Sequence, residues 1–186
     1  MSLAPFQARI AAQVLRDGGL IAYPTEAVFG LGCDPFDEAA VLNLLEVKRR
    51  PLEKGLILIA ADFNQLSPWL RPVDAQVMAR IQPSWPGPHT WILPANDDLP
   101  EWITGAHEGV AVRVTAHPVA AELCRAFGGP IVSTSANLSG LTPARCALQV
   151  EKQLGGLVDL VIHGEVNRKA KPSQIRDALT GKILRM

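Results

Sequence analysis

Short apolar runs alternate with stretches of helical period along this chain, and Gly or Pro marks most of the changes, so a purely helical or purely β fold is excluded. From Pro5 onward, Phe6, Ile10, Val14 and Leu15 recur at helical spacing, and Gly18-Gly19 supplies a stop. Residues 20–23 form an apolar run ended by Pro24, most simply a strand, which 28–32 continues after a bend. Asp37 is placed to cap a helix carrying Val41, Leu44, Leu45 and Lys48, and Pro51 closes it by disfavouring helical geometry at Arg50. Residues 55–61 read as a buried strand, 72–81 as a helix, and 85–88 as a turn before the strand 89–93. Val110, Val112 and Val114 alternate with Ala111, Arg113 and Thr115, the pattern of a strand with two unlike faces. A helix over 117–127 precedes Gly128-Gly129-Pro130 and a strand over 131–133. Thr142 with Pro143 at the first helical position predicts a helix ending at Gly155-Gly156, followed by a strand over 157–162 and a hairpin over 174–184. Strands separated by helices, some joined only by short turns, predict an α/β fold with a mixed sheet. Without a repeat or linker, 186 residues fit one domain, 1–186.

Hydrophobic residues at 48% and charged residues at 19% can fill an interior, which excludes a disordered chain. Eighteen basic residues balance eighteen acidic ones, so net charge gives no argument for a nucleic-acid binder. The balance is uneven: from residue 165 onward six basic residues face two acidic ones. Together with Lys48, Arg49, Arg50 and Lys54 that end can form a cationic surface suited to a phosphorylated substrate, or simply two solvated edges. Cys33, Cys124 and Cys146 form no CxxC pair and are odd in number, so neither a disulfide framework nor a zinc ribbon is indicated. The run 56–61 is far short of the roughly 20 residues that span a bilayer, and Arg9 and Arg16 interrupt any signal-like stretch. The expected location is the cytoplasm, away from membranes.

No GxxxxGK[ST] or GxSxG is present, and Pro35 stands where the third glycine of a GxGxxG beginning at Gly30 would fall. The four histidines have no ligand spacing, so no protein-held metal is expected. Three features remain. Lys48 and Arg50, two apart, diverge on a regular helix, but Pro51 pushes Arg50 extended and lets the two converge on an anion; a basic helix end answering the macrodipole is the plainer alternative. In 133–137, directly after a strand, Ser133, Ser135 and Asn137 share one side if the chain stays extended, offering two hydroxyls and an amide to phosphate or ribose oxygens; a polar turn is the alternative. Arg113, fixed on a strand, can bind a carboxylate bidentately or form a rim ion pair.

Tyr23-Pro24-Thr25-Glu26, Lys48-x-Arg50-Pro51, Val112-Arg113, Ser135-Ala136-Asn137 with Ser139-Gly140, and the ending Ile183-Leu184-Arg185 together resemble the YrdC-type threonylcarbamoyl-AMP synthases, in their short, single-domain bacterial form. The resemblance runs along the whole chain in order. It implies a twisted, open α/β sheet with flanking helices and a concave groove. It also implies a nucleotidyltransferase joining L-threonine, bicarbonate and ATP into threonylcarbamoyl-AMP and pyrophosphate, the first step of threonylcarbamoyladenosine (t6A) formation in tRNA. Carried over, Lys48 and Arg50 are the catalytic phosphate contacts, Ser135, Asn137 and Arg185 meet the nucleotide, and Thr25, Arg113, Ser133 and Ser173 line the threonine side. The chain departs from the family pattern at Ala27, Lys54 and Ile59, where Lys54 offers a further ATP contact. Mg²⁺ is expected as cofactor, bound mainly through the ATP phosphates. tRNA and a downstream threonylcarbamoyl transferase complex are the implied partners. The competing readings are a non-catalytic RNA-binding module using the same groove, and a hydrolase, which needs a Ser or Cys within reach of His.

Overall fold

A computed structural model of the chain describes residues 3–167, 169–170 and 173–185, with Arg185 described by its backbone alone. Helices α1 (Pro5–Arg16), α2 (Glu38–Lys48), α3 (Ala75–Ile81), α4 (Glu101–Thr104), α5 (Pro118–Phe127) and α6 (Ala147–Leu154) surround ten strands. The strands are β1 (Ile21–Pro24), β2 (Phe29–Gly32), β3 (Ile57–Ala60), β4 (His89–Pro94), β5 (Gly109–Val114), β6 (Ile131–Val132), β7 (Thr134–Ser135), β8 (Leu160–Val161), β9 (Gln174–Asp177) and β10 (Ile183–Arg185). The expected mixed sheet is divided in two. One has the order β7-β2-β1-β8, the other β10-β9-β4-β5-β3-β6. Parallel pairs (β1 with β8, β3 with β5, β4 with β9) mingle with antiparallel ones.

Strand alternation sorts the core onto two faces. Ile21, Tyr23, Ile59 and Ile131 pack with Ala8, Ala11 and Leu15 of α1 and with Leu123 and Cys124 of α5. Leu20, Ala22, Leu58, Ala60 and Val132 turn the other way, toward Leu44 of α2, Ile103 of α4 and Val150 of α6. β1 and most of β3 are therefore covered on both sides, which is why they read as continuous apolar runs, whereas β5 turns Ala111 and Arg113 to the cavity and keeps two unlike faces. Asp37 caps α2 as expected, its carboxylate accepting from the Ala40 N–H at 3.1 Å.

The two sheets meet at Ser133. Its N–H bonds to Ile57 O of β3 at 2.8 Å, whereas the next two residues, β7, pair with Gly30 and Leu31 of β2. Val132 N–H also reaches Cys33 O at 3.1 Å. Gly32 is required at this seam, because a Cβ there would lie 2.3 Å from Val132 O.

One expected helix start is corrected. Thr142-Pro143 opens no helix; α6 begins at Ala147. The reason is that the Ala144 N–H bonds to Ala136 O and its carbonyl accepts from Phe29 N–H at 2.7 Å, so this stretch serves as an edge beside β2 and β7. The strand expected over 157–162 shortens to β8, because Leu157 still belongs to the turn leaving α6.

Candidate active site

Lys48 is the last residue of α2, and the chain reversal just beyond it shapes the site. Arg49 adopts a left-handed conformation (φ 47°, ψ 46°). Arg49 N–H bonds to Glu46 O and Arg50 N–H to Leu45 O, both at 2.9 Å, the pair of bonds of a Schellman ending with arginine where glycine is usual. That reversal sends Arg50 back over the next turn, where its Nη2 donates to Gly55 O at 2.8 Å and to Lys54 O at 3.4 Å.

The Lys48 side chain runs inward. Its ammonium donates to Ser135 O at 2.6 Å, to Asn137 Oδ1 at 3.0 Å and to Asn137 O. An ammonium has three protons, and here all three meet oxygens of the 135–137 segment. Burial, and then the positive charge of Arg50, lower its pKa to about 8. The Asn137 amide nitrogen donates onward to Leu138 O and Leu141 O at 2.9 and 2.7 Å. The expected period-2 alternation stops at Ser135, because Asn137 N–H folds back onto Ser135 O at 3.0 Å. Lys48 and Arg50 thus share a cavity, while the protons of Lys48 are held by protein oxygens.

Arg113 on β5 and Glu26 in the β1–β2 turn form a second charged group in the same lining. Glu26 Oε1 accepts from Thr115 Oγ1 at 2.7 Å and from Ala116 N–H at 3.0 Å. Its Oε2 takes no hydrogen bond and lies 3.8 Å from Arg113 Nη1. Burial pushes the Glu26 pKa up, but the guanidinium and these hydrogen bonds outweigh it and hold the carboxyl below its ordinary value. Arg113 is 7% exposed, and among the described residues its guanidinium makes no hydrogen bond. Thr25 and Ser133 are buried beside it, Thr25 Oγ1 donating to Val28 O at 2.6 Å. Ser173 Oγ accepts from Thr90 Oγ1 at 3.4 Å.

All of these groups line one cavity of about 560 Å³: Thr25, Lys48, Arg50, Lys54, Arg113, Ser133, Ser135, Asn137 and Ser173. That size is typical of small-molecule sites. Arg185 lies on β10, whose Leu184 reaches the cavity, but its side chain is outside the described residues. Sequence reasoning missed Glu26 as a functional group, although it stands next to Thr25 in the quoted motif. It also missed the apolar wall of Ile57, Ile92, Ile103 and Ile175, which can only be seen once the strands are assembled. Glu26 is the only acidic side chain among the described residues of the lining, set against Lys48, Arg49, Arg50, Lys54 and Arg113.

A hydrolase arrangement does not form. Among the described residues no Ser or Cys bonds to a histidine, and burial pushes the Cys124 thiol up to about 12. No group of three or more His, Cys, Asp or Glu side chains gathers as a metal site among them. No described helix is long and apolar enough to cross a membrane.

The Sua5/YciO/YrdC family model, described as "Telomere recombination", matches residues 13–186, and the chain belongs to that family. Among its relatives, the threonylcarbamoyl-AMP synthase of Cellvibrio japonicus is 55% identical over 94% of this chain and 93% of its own. That of Nitrosococcus oceani is 50% identical over the full length of both. Among solved structures, P. abyssi Sua5 complexed with L-threonine superposes with a TM-score of 0.89 at 36% identity over 95% of this chain. The chain spans 52% of that longer protein. The family and fold class expected from the motifs are therefore those observed. These relatives are synthases, and nothing among them supports the RNA-binding alternative.

Proposed function

We propose that the chain is a threonylcarbamoyl-AMP synthase, with residues 1–186 acting as one domain in the cytoplasm. L-threonine binds at the Arg113 end of the cavity and the ATP phosphates at the Lys48–Lys54 end. The threonine ammonium gives up a proton, and the free amine and bicarbonate condense to a carbamate with loss of water. A carbamate oxygen then attacks the α-phosphorus while the bond to the β-phosphate breaks and pyrophosphate leaves. The attack brings an anion onto a polyanion, and two unit charges about 4 Å apart repel by roughly 4 kcal/mol at an effective dielectric of 20. Fixed cations oppose that repulsion without reorganising during the reaction, so no protein nucleophile is required.

Arg50 and Lys54 meet the phosphates, and Lys48 both contributes charge and fixes the 135–137 segment against which the nucleotide lies. The apolar wall suits the adenine face, and Arg185 extends the nucleotide contacts. Arg113 takes the threonine carboxylate, and Thr25, Ser133 and Ser173 receive its hydroxyl and amine; a site that hydrogen-bonds a hydroxyl can reject analogues without it. The one acidic side chain of the described lining, Glu26, is already engaged. Mg²⁺ would accordingly come with ATP, bound mainly through the phosphates, and would supply neutralisation of their charge. The adenylate passes to a transferase acting on tRNA.

The observation that carries this reading is the meeting of site residues from five separate stretches, 25 to 173, in one cavity with a cationic group and a charge-paired one. Purified protein given ATP, Mg²⁺, L-threonine and bicarbonate is expected to release pyrophosphate, and to stop when threonine or bicarbonate is withheld. Release that persists without both would identify a simple ATPase instead.

A further inference from the structure

The two ends of the cavity differ in charge balance. The single carboxylate of the described lining, Glu26, pairs with Arg113, so Lys48, Arg50 and Lys54 face the cavity with no carboxylate of that lining beside them. The Glu26–Arg113 pair is also left open. Glu26 is anchored through one oxygen only, by Thr115 Oγ1 and Ala116 N–H, and its second oxygen stays 3.8 Å from the guanidinium without a hydrogen bond. The pair is largely buried, with side-chain exposures of 8% for Arg113 and 14% for Glu26, so solvent screens it little. Arg113 therefore keeps its N–H donors while its charge is cancelled.

We propose that Glu26 sets the kind of ligand this end accepts: by offsetting the Arg113 charge it selects a zwitterionic amino acid over a simple anion. A plain carboxylate or a phosphate placed on Arg113 brings a second negative charge beside Glu26. An amino acid brings its own ammonium with its carboxylate and leaves the site neutral. The repulsive element excludes the wrong ligand while Arg113 holds the right one. It also keeps the triphosphate from occupying the amino-acid end, so the two substrates sort themselves along one cavity. Glu26 acts through Arg113 and is a positioning and specificity residue.

The inference rests on the synthase reading and has its own test. Threonine lacking its amino group, 3-hydroxybutyrate, is measured as a competitor of L-threonine in the pyrophosphate assay, with wild type and Glu26→Gln. The glutamine amide oxygen can still accept from Thr115 and Ala116, so the change removes chiefly the charge. For the wild type the analogue is expected to bind at least about thirtyfold more weakly than threonine, as like-charge juxtaposition predicts. In Glu26→Gln the gap should close to about threefold, and inorganic phosphate should begin to compete with threonine. An unchanged gap in a folded variant, with both ligands weakened alike, would mean a purely structural role and overturn the inference. If the variant does not fold, the wild-type comparison decides, since an analogue binding within about threefold of threonine is enough to refute it. No threonine-dependent release by the wild type at all would fail the synthase reading itself.

Discussion

The most heavily committed side chain in the molecule is Lys48. One ammonium serves three oxygens in a segment 87 to 89 residues away, so its removal strands acceptors in a buried place. Lys48→Met keeps the stem but leaves those oxygens unpaired, at about 1–3 kcal/mol for such a group. We expect a loss of about 3 kcal/mol in denaturant unfolding together with a raised KM for ATP. The pH dependence has a definite sign. The folded pKa, about 8, lies below the ordinary lysine value. From about pH 8 to that value the native chain binds fewer protons than the unfolded one, and this group's contribution to stability rises with pH. Over the same window the cavity loses a positive charge. The KM for ATP should rise above about pH 8, and in Lys48→Arg, whose charge does not titrate there, the rise should disappear. At this scale the sequence was a good guide to which residues matter and a poor one to what each touches. Lys48, Asn137 and Arg113 could be picked by chemistry and motif. That Lys48 would spend its protons on backbone oxygens depends on a bend at Asn137 that no local pattern announces.

Elements with a strong period and a marked end were readable: α1, the Asp37-capped α2, β5 and the terminal hairpin fall where periodicity and turn residues place them. The failure at Thr142-Pro143 has a definite cause. The local signal for a helix start is genuine, but the backbone of Ala144 is claimed by Ala136, eight residues earlier, and by Phe29 on β2, far away in sequence. The end of α2 is the opposite case, since its position is signalled by Pro51 but its left-handed residue is an arginine. Among the described residues Arg49 is the only non-glycine with positive φ. Such a residue stores of order 1 kcal/mol or more. Arg49→Gly should therefore stabilise the protein by about 1 kcal/mol, seen as a higher denaturant midpoint with an unchanged m-value. Because Arg49 also lines the cavity, the same variant should lose ATP affinity, the trade expected when strain sits at a functional site.

Across the whole molecule, the sequence supports an α/β sheet with a concave site, but not its division into two sheets. That division depends on strand pairing between segments about 70 to 105 residues apart, and a two-residue strand such as β6 or β7 carries no period of its own. The seam tolerates little. Gly32→Ala would drive a methyl into Val132 O, where the ideal Cβ sits at 2.3 Å, and both atoms belong to backbone already paired. A cost of about 3 kcal/mol is expected, since rigid neighbours cannot give way, and a calorimetric midpoint lowered by several degrees would register it.

Ser133 belongs to a continuous length of chain stitched to one sheet before it and to the other after it. Such a shared hem prevents the two halves from swinging like a clamshell, because any hinge there would first tear bonds on both sides. The rest of the cavity's border lies away from that hem, on Ser139 and Gly140 of the loop after Asn137 and on Leu184 of β10.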